Sequence, residues 1–245
     1  MAPQAGTIGE STIQHPRVLP HEEWVKARVA LMAKEKEFTR LRDELNRERR
    51  QLPWEKVTKS YVFDGPNGKE TLADLFHGRS QLVVYHLMYA PSWDEACRSC
   101  SFWADDFNGI DIHLAHRDIT LLAISRAPLA KLEAYRKRMG WTFKWVSSGG
   151  NDFNYDLGVS FAPEAVKNGS AAYNYGTIPV PGEEMPGVSV FYRDAKGDIY
   201  HTYSAYSRGI DILNGAYHYI DLTPKGRDEG EAPMAWLRRH DQYQD

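Results

Sequence analysis

At 245 residues, 42% of them hydrophobic, the chain is long enough for one large α/β domain with extensions and short for two full ones. Charged residues make up 26%, the net charge is −3 and no long basic run occurs, which argues against a nucleic-acid partner. The longest apolar runs, such as Ile119 to Ile124, are too short to span a bilayer, and the first twenty residues lack the charged-then-apolar pattern of a secretory signal. The expectation is a cytoplasmic protein with no membrane association.

In chain order, residues 1–18 read as a flexible arm of small and polar residues without a period. Residues 19–52 form a helical extension. From Pro20 to Arg50, Trp24, Ala27, Leu31, Phe38, Leu41 and Leu45 recur at spacings of three, four and seven and share one face, interrupted by Lys34. Such a helix packs on the flank of its own domain or pairs with a second copy as a homodimer. Residues 53–222 form the main domain. Tyr61 to Phe63 reads as a short strand, Gly65-Pro66-Asn67-Gly68 as a tight turn, and Thr71 to Phe76 as one or two helical turns. Gln81 to Tyr89 is a near-continuous apolar run, as in a strand buried on both faces.

A loop then leads to Cys97-Arg98-Ser99-Cys100, which opens a helix through Phe107. Asn108-Gly109 breaks it, and a second piece runs to His116. Asp118 to Ser125 is another buried strand. Pro128 to Met139 is a helix with proline in its first turn and Gly140 after its end. Phe143 to Val146 is a third strand. Residues 147–186, rich in glycine, asparagine and proline, read as an insertion or lid. Val188 to Tyr192 and Ile199 to Tyr203 make a hairpin, Ile210 to Leu222 a closing helix, and residues 223–245 a charged C-terminal tail. Strand, cysteine-bearing helix, strand, helix, antiparallel hairpin and terminal helix follow one another as in the thioredoxin fold. The extra hairpin before the central strand matches its peroxiredoxin-like variant, a mixed sheet flanked by helices.

The chain has two cysteines, Cys97 and Cys100, separated by two residues. A structural disulfide is not expected where thiols are kept reduced, so redox or metal chemistry remains. At a helix N-terminus, unsatisfied N–H groups and the macrodipole favour a thiolate on Cys97, and Cys100, one turn on, can resolve a mixed disulfide. Arg98 adds positive charge, whereas Asp94 and Glu95 oppose it. Trp93 is a candidate wall of a substrate groove beside Asp94, and Trp103 reads as core. Pro186, before the strand from Val188, stands where thioredoxins carry a cis-proline facing the dithiol; it equally reads as a plain strand-opening proline. Five tyrosines (Tyr200, Tyr203, Tyr206, Tyr217 and Tyr219) are candidates for a pocket or for half-buried packing.

A metal reading stands beside the redox one. Cys97, Cys100, His113 and His116 approach a zinc-finger spacing, but the histidines are one position too close, and a continuous helix would hold the two pairs about 20 Å apart. His86 on the central strand and His201 in the hairpin are better placed to join Cys97 and Cys100 around copper, zinc or iron.

Five stretches carry a resemblance: WDEACRSCSFWADDFNG (93–109), SRAPLAKLEAYRKRMGW (125–141), SSGGNDFNYD (147–156), PGVSVFYRD (186–194) and LNGAYHYIDLTPKGRDE (213–229). Through them the chain resembles a bacterial family of unknown function, the domain-of-unknown-function-899 family, thioredoxin-like and described as predicted dithiol–disulfide oxidoreductases. The resemblance covers most of residues 20–240 and implies a thioredoxin-like fold with Cys97 and Cys100 as the redox pair. Ala96 replaces the tryptophan that thioredoxins carry before the first cysteine, and Asp94 replaces the Thr or Ser that peroxiredoxins carry three residues before theirs. The expected function is thiol–disulfide exchange without a cofactor, on a small-molecule or protein thiol or disulfide. Cys97 would attack, Cys100 resolve and Arg98 help hold the thiolate. A thiol peroxidase and a metal-binding protein are the alternatives.

Overall fold

The structure is a computed structural model that describes residues 17–231 and 233–243. The arm expected over residues 1–18 lies almost wholly outside the described residues. Two compact units are present. One holds the chain up to Pro53 together with Tyr219–Asp228; the other holds Trp54–His218 and Glu229–Asp245. In the first, α1 (His21–Arg49) starts after Pro20, carries Glu22 and Glu23 in its first turn and Arg47 and Arg49 in its last, and so opposes its own dipole at both ends. None of its residues is buried.

The second unit is built on eight strands: β1 (Glu55–Lys56), β2 (Val62–Gly65), β3 (Gly68–Thr71), β4 (Gln81–His86), β5 (Ile119–Ser125), β6 (Lys144–Ser147), β7 (Gly187–Arg193) and β8 (Ile199–Tyr206). They form one sheet in the order β1-β8-β7-β4-β5-β6-β2-β3. β4, β5 and β6 are parallel, and β7 and β8 run antiparallel on the other side of β4. The run β8-β7-β4-β5, with the cysteine-bearing helix after β4 and a helix after β5, is the thioredoxin-like core. β6 and the β2–β3 hairpin widen it in the peroxiredoxin-like manner.

Alternation along β4 places Leu82, Val84 and His86 on one face and Val83 and Tyr85 on the other. Leu82 and Val84 pack with Phe63, Phe76, Leu122, Ile124, Phe153 and Phe191 in a fully buried layer. Burying each such side chain contributes about 2 to 3 kcal/mol. Tyr85 instead meets Phe107 edge-on at 5.2 Å, on the face where the cysteines lie. On β7, a Cβ at Gly187 would sit 2.8 Å from the Tyr206 ring, so only glycine lets β7 and β8 close there.

Around the sheet run α2 (Arg98–Ala104), α3 (Ile110–Ala115), α4 (Leu129–Arg138), α5 (Phe153–Asp156), α6 (Pro163–Lys167) and α7 (Gly215–Asp221). The closing helix expected over Ile210 to Leu222 is divided. A 3-10 segment spans Ser207–Leu213, Asn214 is extended, and its side-chain oxygen then accepts the Tyr217 N–H at 2.8 Å to open α7. The segment 147–186 is ordered by a small core of its own, in which Val159, Phe161 and Tyr173 pack with Tyr206 of β8. Within residues 223–245, expected as a tail, Leu237 is fully buried. The neighbouring Arg239 donates to the carbonyl of Ala96 at 2.7 Å and to the Tyr135 hydroxyl at 2.7 Å.

Candidate active site

The loop between β4 and α2 is held from several sides before it reaches the dithiol. Cys97 N–H donates to the Met88 carbonyl at 3.0 Å. The Tyr89 hydroxyl donates to the Asp94 carbonyl at 2.9 Å, and Lys131 Nζ donates to the carbonyls of Pro91 and Trp93 at 2.9 and 2.8 Å. Arg239 pairs with Glu95 at 2.8 Å as well as holding Ala96, and Arg138 also pairs with Glu95. Irregular backbone satisfied this completely is pre-organised, so the helix that follows starts at one defined place.

Cys97 is the N-cap of α2; its carbonyl accepts the N–H of Ser101 at 3.0 Å and the Ser101 hydroxyl at 2.9 Å. Both thiols are free; Cys97 is half-buried and Cys100 buried. The Cys97 pKa is lowered to about 6. The largest cause is a hydrogen bond from Cys100, and burial opposes it; the N–H groups of Cys100 and Ser99 and the Ser99 hydroxyl complete the shift. Cys100 moves the other way, well above an ordinary thiol, because it is buried and because a negative Cys97 lies beside it. The pair is thus split into one acidic thiol and one held protonated beside it.

Tyr85 faces this pair from β4. Its hydroxyl is buried and has no oxygen or nitrogen partner. Burial raises its pKa, and the two sulfurs raise it further. In return the phenol pulls the Cys100 thiol down against burial. Cys97 and Cys100 line a cavity of about 300 Å³, together with Tyr85, Ser99 and a wall of Met88, Trp103, Tyr173, Met185, Pro186, Ile210 and Met234. The Tyr173 hydroxyl donates to the Pro186 carbonyl at 2.5 Å and accepts the Ser207 N–H at 2.8 Å, so it ties segment 147–186 to the segment after β8 at the cavity edge. Just before this wall, buried Glu184 accepts from Ser160 at 2.7 Å and lies 3.2 Å from the Arg126 guanidinium. Burial lifts its pKa to about 7.

The candidates read from sequence fall in different places. Cys97, Cys100 and Pro186 come together, and the peptide bond before Pro186 is trans rather than cis. Trp93 and Trp103 exchange roles. Trp93 is half-buried on the bracing loop and outside the cavity, whereas Trp103 lines it and donates from its indole to the Ile210 carbonyl at 2.9 Å. Asp94 is exposed and offers the bracing loop its backbone carbonyl. Arg98 is exposed on the first residue of α2 and is not among the groups that shift Cys97, since solvent screens it.

The alternative metal ligands are not gathered around the cysteines. His86 is buried on the opposite face of β4 from Tyr85, where Nδ1 pairs with Asn154 at 3.3 Å and Nε2 with the Ser189 hydroxyl at 3.0 Å. Ser189 continues to Ser204 at 2.8 Å and Ser204 to His201 at 2.7 Å. Burial lowers the His86 pKa to about 4, so it sits neutral in this chain of polar groups. Among the described residues, no three His, Cys, Asp or Glu side chains gather as a metal site, and no helix is long and apolar enough to cross a membrane.

Tyr85, Ser99, Met185 and Arg239 were not singled out in the sequence, whereas Tyr173 was legible as one of the aromatic residues of segment 147–186. Tyr85 had a signal, as a polar-tipped side chain at the end of a buried strand that leads to the cysteines, and Ser99 lies between them; Met185 and Arg239 are distant in sequence and carry none.

Residues 13–243 match the model of a family described as bacterial protein of unknown function (DUF899). No curated protein matches the chain. Among solved structures, peroxidoxin BcpB from Mycobacterium tuberculosis is similar at 14% identity and a TM-score of 0.44, over 69% of this chain and 97% of that one. Xanthomonas campestris peroxiredoxin Q is similar at 15% identity and a TM-score of 0.45, over 67% and 91%. A yeast mitochondrial 1-Cys peroxiredoxin is similar at 15% identity and a TM-score of 0.42, over 66% and 73%.

Proposed function

The chain belongs to the DUF899 family of bacterial proteins, and we propose that it is a thiol–disulfide oxidoreductase working through Cys97 and Cys100. The observation that carries this reading is the division of the pair, with an acidic, half-buried Cys97 on a helix N-cap beside a buried, protonated Cys100, both opening on one cavity.

The chemistry follows from that division. With its pKa lowered to about 6, Cys97 favours the thiolate at neutral pH. It attacks one sulfur of a substrate disulfide, forms a mixed disulfide and expels the other half as a thiolate, which takes a proton from solvent. Once Cys97 is in the mixed disulfide its negative charge is gone, and with it part of what kept Cys100 protonated. Cys100 then loses its proton, attacks Cys97 and releases the second thiol. Two electrons and two protons have passed to the substrate, and the protein is left with a Cys97–Cys100 disulfide. An external dithiol reverses the sequence and regenerates it.

The cavity favours small apolar substrates. Most of its wall is methionine, aromatic and proline, with Tyr173, Met185 and Pro186 from segment 147–186, and Ser207, Arg208 and Asp211 add a polar side. A volume of about 300 Å³ suits a low-molecular-weight disulfide better than the disulfide of a folded protein.

The test is stopped-flow oxidation of the reduced protein by a panel of small disulfides and hydroperoxides, with Cys100→Ser beside wild type. The reading expects disulfides to oxidise the dithiol, and Cys100→Ser to accumulate a mixed disulfide on Cys97. Oxidation by hydroperoxides alone would favour the peroxidase reading. Full turnover in both Cys97→Ser and Cys100→Ser would remove the dithiol from the mechanism.

A further inference from the structure

Helix α1 (His21–Arg49) repeats an apolar residue at every seventh position, Trp24, Leu31, Phe38 and Leu45, with Ala27 and Leu41 three residues after the first and third. A seam of this period matches a partner helix rather than a sheet surface. The seam residues are exposed, Phe38 at 64%, Leu41 at 61% and Trp24 at 55%. Exposed apolar surface of this extent on a helix about 44 Å long marks an interaction face.

The charges beside the seam select the occupant. With Trp24, Leu31, Phe38 and Leu45 at the a positions of a heptad, the g positions hold Glu23, Ala30, Glu37 and Glu44, and the e positions hold Arg28, Glu35, Arg42 and Arg49. In a parallel pair of identical helices each g residue faces the partner's e residue five positions further along. That sets Glu23 against Arg28, Glu37 against Arg42 and Glu44 against Arg49, with Ala30 opposite Glu35 and no like-charge pair among these flanking positions. An antiparallel pair over the same heptads sets g against g and e against e, which opposes Glu23 to Glu44 and Arg28 to Arg49 and leaves Glu35 against Arg42 as its one kind of attractive flanking pair. Glu35, without a basic residue across the seam, is held by Arg28 of its own helix at 2.7 Å.

We infer that α1 pairs with α1 of a second copy as a parallel, in-register two-stranded coiled coil. Lys34 and Glu48 occupy d positions and face their own copies, so the seam is weaker than an all-apolar one; their long side chains reach solvent past the Leu31 and Leu45 layers. The pair is therefore an exchangeable dimer rather than a permanent one.

Sedimentation equilibrium of the full chain tests this. Wild type is expected to dimerise, and Lys34→Leu to tighten the dimer. Glu37→Arg and Arg42→Glu each set like charges across the seam and are expected to raise the dimer Kd about tenfold. Positions 37 and 42 do not face each other on one helix. The double variant therefore regains its ion pair only between chains in parallel register, and its Kd is expected to return close to wild type. Cys97 alkylation serves as the control and stays unchanged throughout. A wild-type chain that stays monomeric up to about 100 μM, or a trimer or larger assembly, would overturn the inference. A double variant as weak as its parents would overturn the parallel register.

Discussion

Arg239 donates to the carbonyl of Ala96 at 2.7 Å, so a side chain 142 positions beyond Cys97 holds the peptide directly before that cysteine. The same guanidinium pairs with Glu95 and touches the Tyr135 hydroxyl. Arg239→Ala removes these bonds from a half-buried position, and is expected to lower stability by about 1 to 2 kcal/mol and to speed amide exchange in residues 89–97. Unchanged exchange across that loop in the variant would show that the C-terminal segment does not brace the site.

Thiolate formation at Cys97 is expected to govern its reactivity. The rate of alkylation should rise with pH to a midpoint near 6. Cys100→Ala removes the largest stabilising hydrogen bond and should move the midpoint upward, whereas Arg98→Ala should leave it in place. A midpoint that follows Arg98 instead would assign the thiolate to side-chain charge.

The same acidity links redox state to stability. The Cys97 pKa in the folded, reduced protein is depressed from the ordinary 9.0 to about 6, so its contribution is fully present above pH 9 and is lost as the pH falls through 6. Cys100 is shifted upward and works against stability only above about pH 9, where an unfolded thiol ionises. The reduced protein should therefore gain stability from pH 6 to 9 relative to the oxidised one. Chemical denaturation of both forms at several pH values measures this, and parallel curves would contradict it.

Glu184 should add an opposite dependence at lower pH. Burial raises its folded pKa from 4.5 to about 7, so its favourable contribution is complete below 4.5 and is lost as the pH rises through 7. Glu184→Gln is expected to keep the fold and to flatten the stability profile between pH 4.5 and 7. Arg126→Ala removes the cation beside Glu184, but with a folded pKa near 7 the carboxyl takes up a proton instead, so the loss at neutral pH should stay within about 1 kcal/mol. Denaturation profiles of the two variants separate these effects.

Tyr85→Phe is expected to slow one half of the exchange only. The buried phenol faces the pair from β4 and lowers the Cys100 pKa. The variant should form the mixed disulfide at the wild-type rate and resolve it several-fold more slowly at neutral pH, recovering as the pH rises. Equal slowing of both steps in stopped-flow traces would give Tyr85 a packing role alone.

The amino-acid sequence by itself determined the thioredoxin-like core and the pairing of Cys97 with Cys100 at a helix start, because both are local signals. Buried strands read as apolar runs, α4 as a proline-opened helix stopped at Gly140, and Cys97 and Cys100 as a spacing of three on a helix start. The seam on α1 was equally legible, since heptad spacing needs no tertiary knowledge. What surrounds the dithiol was decided by the tertiary structure. Trp103 rather than Trp93 reaches the cavity because α2 turns its side toward the Ile210 segment, while Trp93 stays on a loop pinned by Lys131. Tyr173, Met185 and Arg239 arrive from stretches 76, 88 and 142 positions beyond Cys97, through bonds to Pro186, Ser207 and Ala96. His86 looked like a neighbour of the cysteines because it precedes them by eleven positions, yet the two-residue period of β4 turns it to the opposite face. Periodicity fixes which face a residue occupies, but only the folded chain decides which distant segment meets that face.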